Sequence, residues 1–108
     1  MRKTMRRMVP GNAKKRAAYR ERRRAQLQEW SAKLDLWQAR ARKTKAEVKV
    51  RYHEQLDELR DALDSMRSRL TELDEARAET WDDLKAGVDE AADRAGEIAD
   101  RVSRRLER

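Results

Sequence analysis

Residues 56–73 read LDELRDALDSMRSRLTEL, and Leu56, Leu59, Leu63, Met66, Leu70 and Leu73 recur in it at steps of three and four. That spacing sets all of them on one face of an α-helix. The same ladder continues upstream through Tyr52, Val48, Lys45, Ala41, Trp37, Leu34, Trp30 and Leu27. Downstream it passes through Arg77, Trp81, Leu84, Val88, Ala91, Ala95, Ile98 and Val102. Only Lys45 and Arg77 are polar, and their long stems can lie along a seam while the charges reach water. The step averages roughly 3.57 residues, between the 3.5 of left-handed and the 3.67 of right-handed coiled coils, which predicts a shallow supercoil. Strict heptads at Leu56–Leu73 and Trp81–Val102 alternate with paired four-residue steps at Trp37–Lys45, Val48–Leu56 and Leu73–Trp81. These read as stutters that locally unwind the coil.

Composition agrees with helix and argues against a conventional globular core. Of 108 residues, 45% are charged and 5% aromatic, with no Phe and no Cys. So much charge would suggest disorder, but the usual Pro and Gly are scarce, and the abundant Ala, Glu, Arg, Leu, Lys and Gln favour helix. The only Pro is Pro10, beside Gly11 and before Asn12, a suitable N-cap for a helix opening at Ala13. We therefore expect an all-α chain: a flexible basic tail over 1–12, then an elongated coiled-coil helix or helices over 13–107. Residues 13–26 form a basic arm in this scheme, and 27–106 carry the apolar seam. Within that span only Gly87 and Gly96 interrupt the helix formers, and each costs roughly 1 kcal/mol against Ala.

A continuous helix of about 95 residues would be on the order of 140 Å long. Its stripe has to meet a second helix, from a hairpin or from another chain. Ser65 to Ser68 is the weakest central stretch, but a turn there interrupts the ladder at Met66. The balance therefore favours association between chains. The seam would comprise Leu27, Trp30, Leu34, Trp37, Leu56, Leu59, Leu63, Met66, Leu70, Leu73, Trp81, Leu84, Val88, Ile98 and Val102. Charge sets the expected orientation. Residues 1–26 carry 11 Lys and Arg against one acid, and residues 53–100 carry six against 16. Antiparallel pairing lays basic halves on acidic ones, so an antiparallel homo-oligomer is favoured.

Chemistry-bearing residues are few. His53 is the only histidine, and without Cys it has no partners for a metal site. Asp82, Asp83, Asp89, Glu90 and Asp93 lack calcium-loop spacing and suit a solvated helix face. No phosphate loop or nucleophile arrangement is present, so we expect no enzyme, no cofactor and no small-molecule substrate. Trp30, Trp37 and Trp81 lie at seam spacing and read as core rather than as a stacking platform. The basic cluster Lys14, Lys15, Arg16, Arg20, Arg22, Arg23 and Arg24 is the one candidate contact, for nucleic acid or an anionic surface. It resembles the basic region of a leucine zipper only loosely. Lys15 and Arg16 stand where that motif has alanines, and Trp30 and Leu34 do not continue a leucine heptad.

Several runs are similar to a bacterial family of small coiled-coil proteins often labelled stress-response proteins. They are Ala25-Gln26-Leu27-Gln28-Glu29-Trp30, Tyr52 to Arg60, and above all Trp81-Asp82-Asp83-Leu84-Lys85-Ala86-Gly87-Val88. The resemblance spans about residues 19–92; Ala92 stands where many relatives carry a second Trp, and the basic extension is unlike them. It implies long helices and a bacterial cytoplasmic setting, and it brings no catalytic or ligand residue. The expected function is a non-enzymatic, stress-related structural or interaction protein that self-associates. The alternative is a polyanion-binding module acting through the basic arm.

Overall fold

A computed structural model describes residues 2–43 and 46–106, with side chains for 13–43 and 50–105. The chain is all-α. Helix α1 spans Arg2–Ala41, α2 spans Ala46–Asp74 and α3 spans Trp81–Leu106. They fold back on one another into a bundle of 67 × 21 × 16 Å. The continuous rod is thereby corrected: the stripe closes on itself within one chain.

The breaks fall where the apolar ladder lapses. After Ala41 the next apolar rung is Val48, and the Arg42 and Lys43 that follow α1 add nothing to the apolar stripe. A helix segment with no packed face gains little to offset the entropy of ordering it. Arg42 N still bonds Gln38 O, Lys43 N bonds Arg40 O in a tighter turn, and α1 ends there. At the second break, α2 closes with Glu72 and Asp74 in its last turn and no basic residue. Carboxylates at a helix C-terminus oppose the macrodipole, which discourages extension. Arg77, the polar rung, is exposed in the connection that follows. Helix α3 then opens favourably, with Asp82 and Asp83 in its first turn and Arg104 and Arg105 in its last. Lys45 and the side chain of Val48 lie outside the described residues. The Val48–Leu56 stutter falls inside α2, and the Leu73–Trp81 stutter spans the connection between α2 and α3.

The residues expected to form a seam between chains are instead the internal core. Leu27, Leu34, Trp37, Leu56, Leu59, Leu63, Met66, Leu70, Leu73, Trp81, Val88, Ile98 and Val102 are all buried, while Trp30 and Leu84 pack against them half-buried. Three helices need a wider stripe than two, and Ala62, Ala92 and Ala99 supply it beside the rungs. Intramolecular closure wins because short connections bring the partner face in without the translational entropy cost of association. Successive helices run antiparallel, which brings basic residues of α1 to the acidic end of α2, as in Arg20 and Arg24 with Asp74.

The backbone of α1 is helical from Arg2 through Pro10, Gly11 and Asn12. The side chains of residues 1–12 lie outside those described. The two glycines also differ. A Cβ on Gly96 would stand 3.4 Å from the Trp30 ring, so that position lets the indole lie on α3. A Cβ on Gly87 would meet only the mobile end of Arg69. Gly87→Ala is therefore expected to stabilise the bundle by about 0.5–1 kcal/mol in denaturant unfolding.

Candidate nucleic-acid interface

The N-terminal part of α1 carries the basic cluster, and its inner face lies against α3 and the end of α2. Three of the seven cluster residues are engaged inside the chain. Arg20 Nε lies 3.7 Å from Asp74 and Arg24 also pairs with Asp74, so the last turn of α2 receives the cations it lacks. Arg23 Nη2 donates to Asp89 Oδ1 at 2.8 Å. Arg16 is placed differently: its guanidinium sits 5.1 Å above the Trp81 ring. Lys14, Lys15 and Arg22 are exposed and form no ion pair among the described residues. The structure thus divides the cluster into an inner set that docks α1 and an outer set facing solvent.

Tyr19 is the centre of the inner set, and its role is not apparent from the ladder, which was started at Leu27. Carried back in steps of four, the ladder reaches Arg23 and Tyr19, both of which face α3. Tyr19 is buried, its ring meets Trp81 edge-on at 5.7 Å, and its hydroxyl donates to Asp89. Asp89 also accepts from Lys85 Nζ at 3.1 Å, and that ammonium lies 4.8 Å from the Tyr19 ring. Burial, aided by the bond to Asp89, pushes the Tyr19 hydroxyl up to about 12. Burial works against charge on Asp89, but hydrogen bonds from Tyr19, Arg23 and Lys85 outweigh it and hold the carboxyl at about 2.

These shifts set two limbs in the dependence of stability on pH. Asp89 sits below its ordinary 3.8, so its contribution is present above about pH 4 and is lost as pH falls towards about 2. Its side chain is one-third exposed, and after allowance for screening that contribution is about 1 kcal/mol. Tyr19 sits above its ordinary 10.0, so its contribution is full below pH 10 and is lost as pH rises through about 12. Unfolding free energies measured across pH are expected to show that Tyr19→Phe flattens the alkaline limb and Asp89→Asn the acid limb. Unchanged limbs in both variants would remove the network from the account.

Other sequence candidates resolve simply. Trp37 and Trp81 are core, and each indole Nε1 is buried without an acceptor among the described residues. His53 is exposed on α2. Asp82, Asp83, Glu90 and Asp93 are exposed on α3, and the described residues contain no group of His, Cys, Asp or Glu able to hold a metal ion. No described helix is long and apolar enough to cross a membrane.

The fold and this surface together define an all-α three-helix bundle with a basic outer face on its first helix. No protein-family model, curated protein or solved structure matches the chain.

Proposed function

We propose that this protein is a non-enzymatic interaction module that binds nucleic acid through the outer face of α1. The observation that carries this reading is how the surface is divided. The apolar stripe is buried between the chain's own helices, so charge is the main attraction left for a partner. That charge is concentrated, with 11 Lys and Arg against one acid in residues 1–26 and Lys14, Lys15 and Arg22 exposed on α1. Phosphate backbones require only clustered cations, whereas an anionic membrane surface also requires an apolar helix face to insert. The apolar face of α1 is in the bundle, which favours nucleic acid over lipid.

Self-association is the second reading, now electrostatic rather than through the seam. The basic face of α1 in one copy would meet the acidic outer faces of α2 and α3 in another. Such exposed pairs contribute only about 0–1 kcal/mol each, so this assembly would be weak and would dissolve in salt. The resemblance to stress-response proteins supports a role under stress in the bacterial cytoplasm.

Fluorescence anisotropy with a mixed-sequence duplex tests the main reading. Even three phosphate contacts imply a loss of affinity of about 40-fold between 50 and 200 mM salt, with no preference among sequences. Absence of binding at 50 mM salt, or binding indifferent to salt, would overturn it.

A further inference from the structure

Between the outer face of α1 and the start of α3 lies an open cleft of about 650 Å³. Its walls carry four cations, Lys15, Arg16 and Arg22 from α1 and Lys85 from α3, against one carboxylate, Asp82. Four like charges around one opening repel one another, and such an arrangement attracts a multivalent anion. Arg16 lies over the Trp81 ring, and Lys85, paired with Asp89 at 3.1 Å, also lies over the Tyr19 ring. A surface cation–π contact is weaker than a charge-assisted hydrogen bond to phosphate, so a phosphate oxygen can draw the guanidinium of Arg16 towards itself. Trp81, a lining residue, has an indole N–H that is buried and has no acceptor among the described residues, so its resonance can report on changes at the cleft wall. Trp37 has a similarly unpartnered indole but stands away from the cleft, which makes it an internal reference.

We infer that this cleft is an anchoring site for a phosphodiester segment of a nucleic acid chain, gripped jointly by α1 and α3. The inference rests on the nucleic-acid reading above and narrows it to one place. Tyr19 and Trp81 are buried, so bases cannot stack on them, and the cleft reads phosphate without base identity. Lys85 is the discriminating residue. It belongs to α3, outside the basic arm, and a purely α1-borne contact would not use it.

The test uses the full chain labelled with ¹⁵N and titrated with a mixed-sequence 12-nucleotide DNA strand. Tryptophan indole resonances are assigned by Trp81→Phe and Trp30→Phe. The Trp81 N–H resonance is expected to shift on binding while that of Trp37 stays in place. Arg16→Gln and Lys85→Gln should each weaken binding about 5-fold at low salt, as expected for loss of one phosphate contact. Lys14→Gln, outside the cleft, reports on the outer face alone. If the strand does not bind the unaltered protein, the nucleic-acid reading falls and the cleft with it. If it binds and Lys14→Gln weakens it, but the Trp81 resonance and both cleft variants show no response, the cleft alone is overturned. Amide spectra of each variant confirm that the bundle is intact.

Discussion

Trp37→Ala is expected to destabilise the bundle by about 3–5 kcal/mol, lowering the thermal midpoint by 12 °C or more. Trp37 is 1% exposed, and its ring fills the interior between α1 and its neighbours. Truncation to Ala removes the transfer free energy of the indole and leaves a cavity that stiff flanking helices close only in part. A chain with few large apolar residues has little elsewhere to compensate. Trp30 lies on the same helix but is half-buried against Gly96, so Trp30→Ala should cost clearly less. Equal effects at the two positions, read by denaturant unfolding, would place the core wrongly.

The second large effect concerns binding. Lys14→Glu, Lys15→Glu and Arg22→Glu combined should weaken duplex DNA binding about 10³-fold at 0.1 M salt, and should reduce the salt slope by about 2.7. Each exposed cation removed from a phosphate forfeits one counterion-release term, and reversal adds repulsion. The control reverses Arg60 and Arg67, which point outward from α2 and pair with Asp57 and Asp64. Both are on α2 rather than on the outer face of α1, although Arg67 lines a groove with Arg24, so that variant should change affinity less. If the two sets weakened binding equally for each charge reversed, net charge rather than the α1 face would be responsible.

Most of the core could be read from the ladder, because a stripe at helical spacing is the same whether its partner is the same chain or another. The rungs from Leu56 to Leu73 and from Trp81 to Val102 are buried as that spacing requires, apart from half-buried Leu84. What the spacing does not carry is where the helix stops. Neither turn contains Gly or Pro; one lies among cations after Ala41 and the other follows the acidic end of α2. The second coincides with a polar rung, Arg77, and with paired four-residue steps. That position reads as local unwinding although it also marks where packing ceases. The basic and acidic halves of the sequence do not say whether the acidic half belongs to a neighbour or to the chain itself.

The interface was less readable for a related reason. Seven basic residues in one segment look equivalent, and only the docking of α1 separates Arg20, Arg23 and Arg24, engaged with Asp74 and Asp89, from Lys14, Lys15 and Arg22. Arg23 and Asp89 are distant in the chain, and no local motif links them. Tyr19 had a weak local signal, its place two four-residue steps before Leu27. The role of Lys85 had none, since it depends on which residue of α1 lies opposite.

The account's central claim is that the apolar stripe closes within one chain. Small-angle X-ray scattering on the size-separated protein at moderate salt tests it most directly. The bundle has a Cα radius of gyration of 18.0 Å and a longest dimension of 67 Å, and scattering should return values close to these, with a hydration layer added. A continuous helix of about 95 residues would instead give a maximum dimension on the order of 140 Å, and that result would contradict the claim.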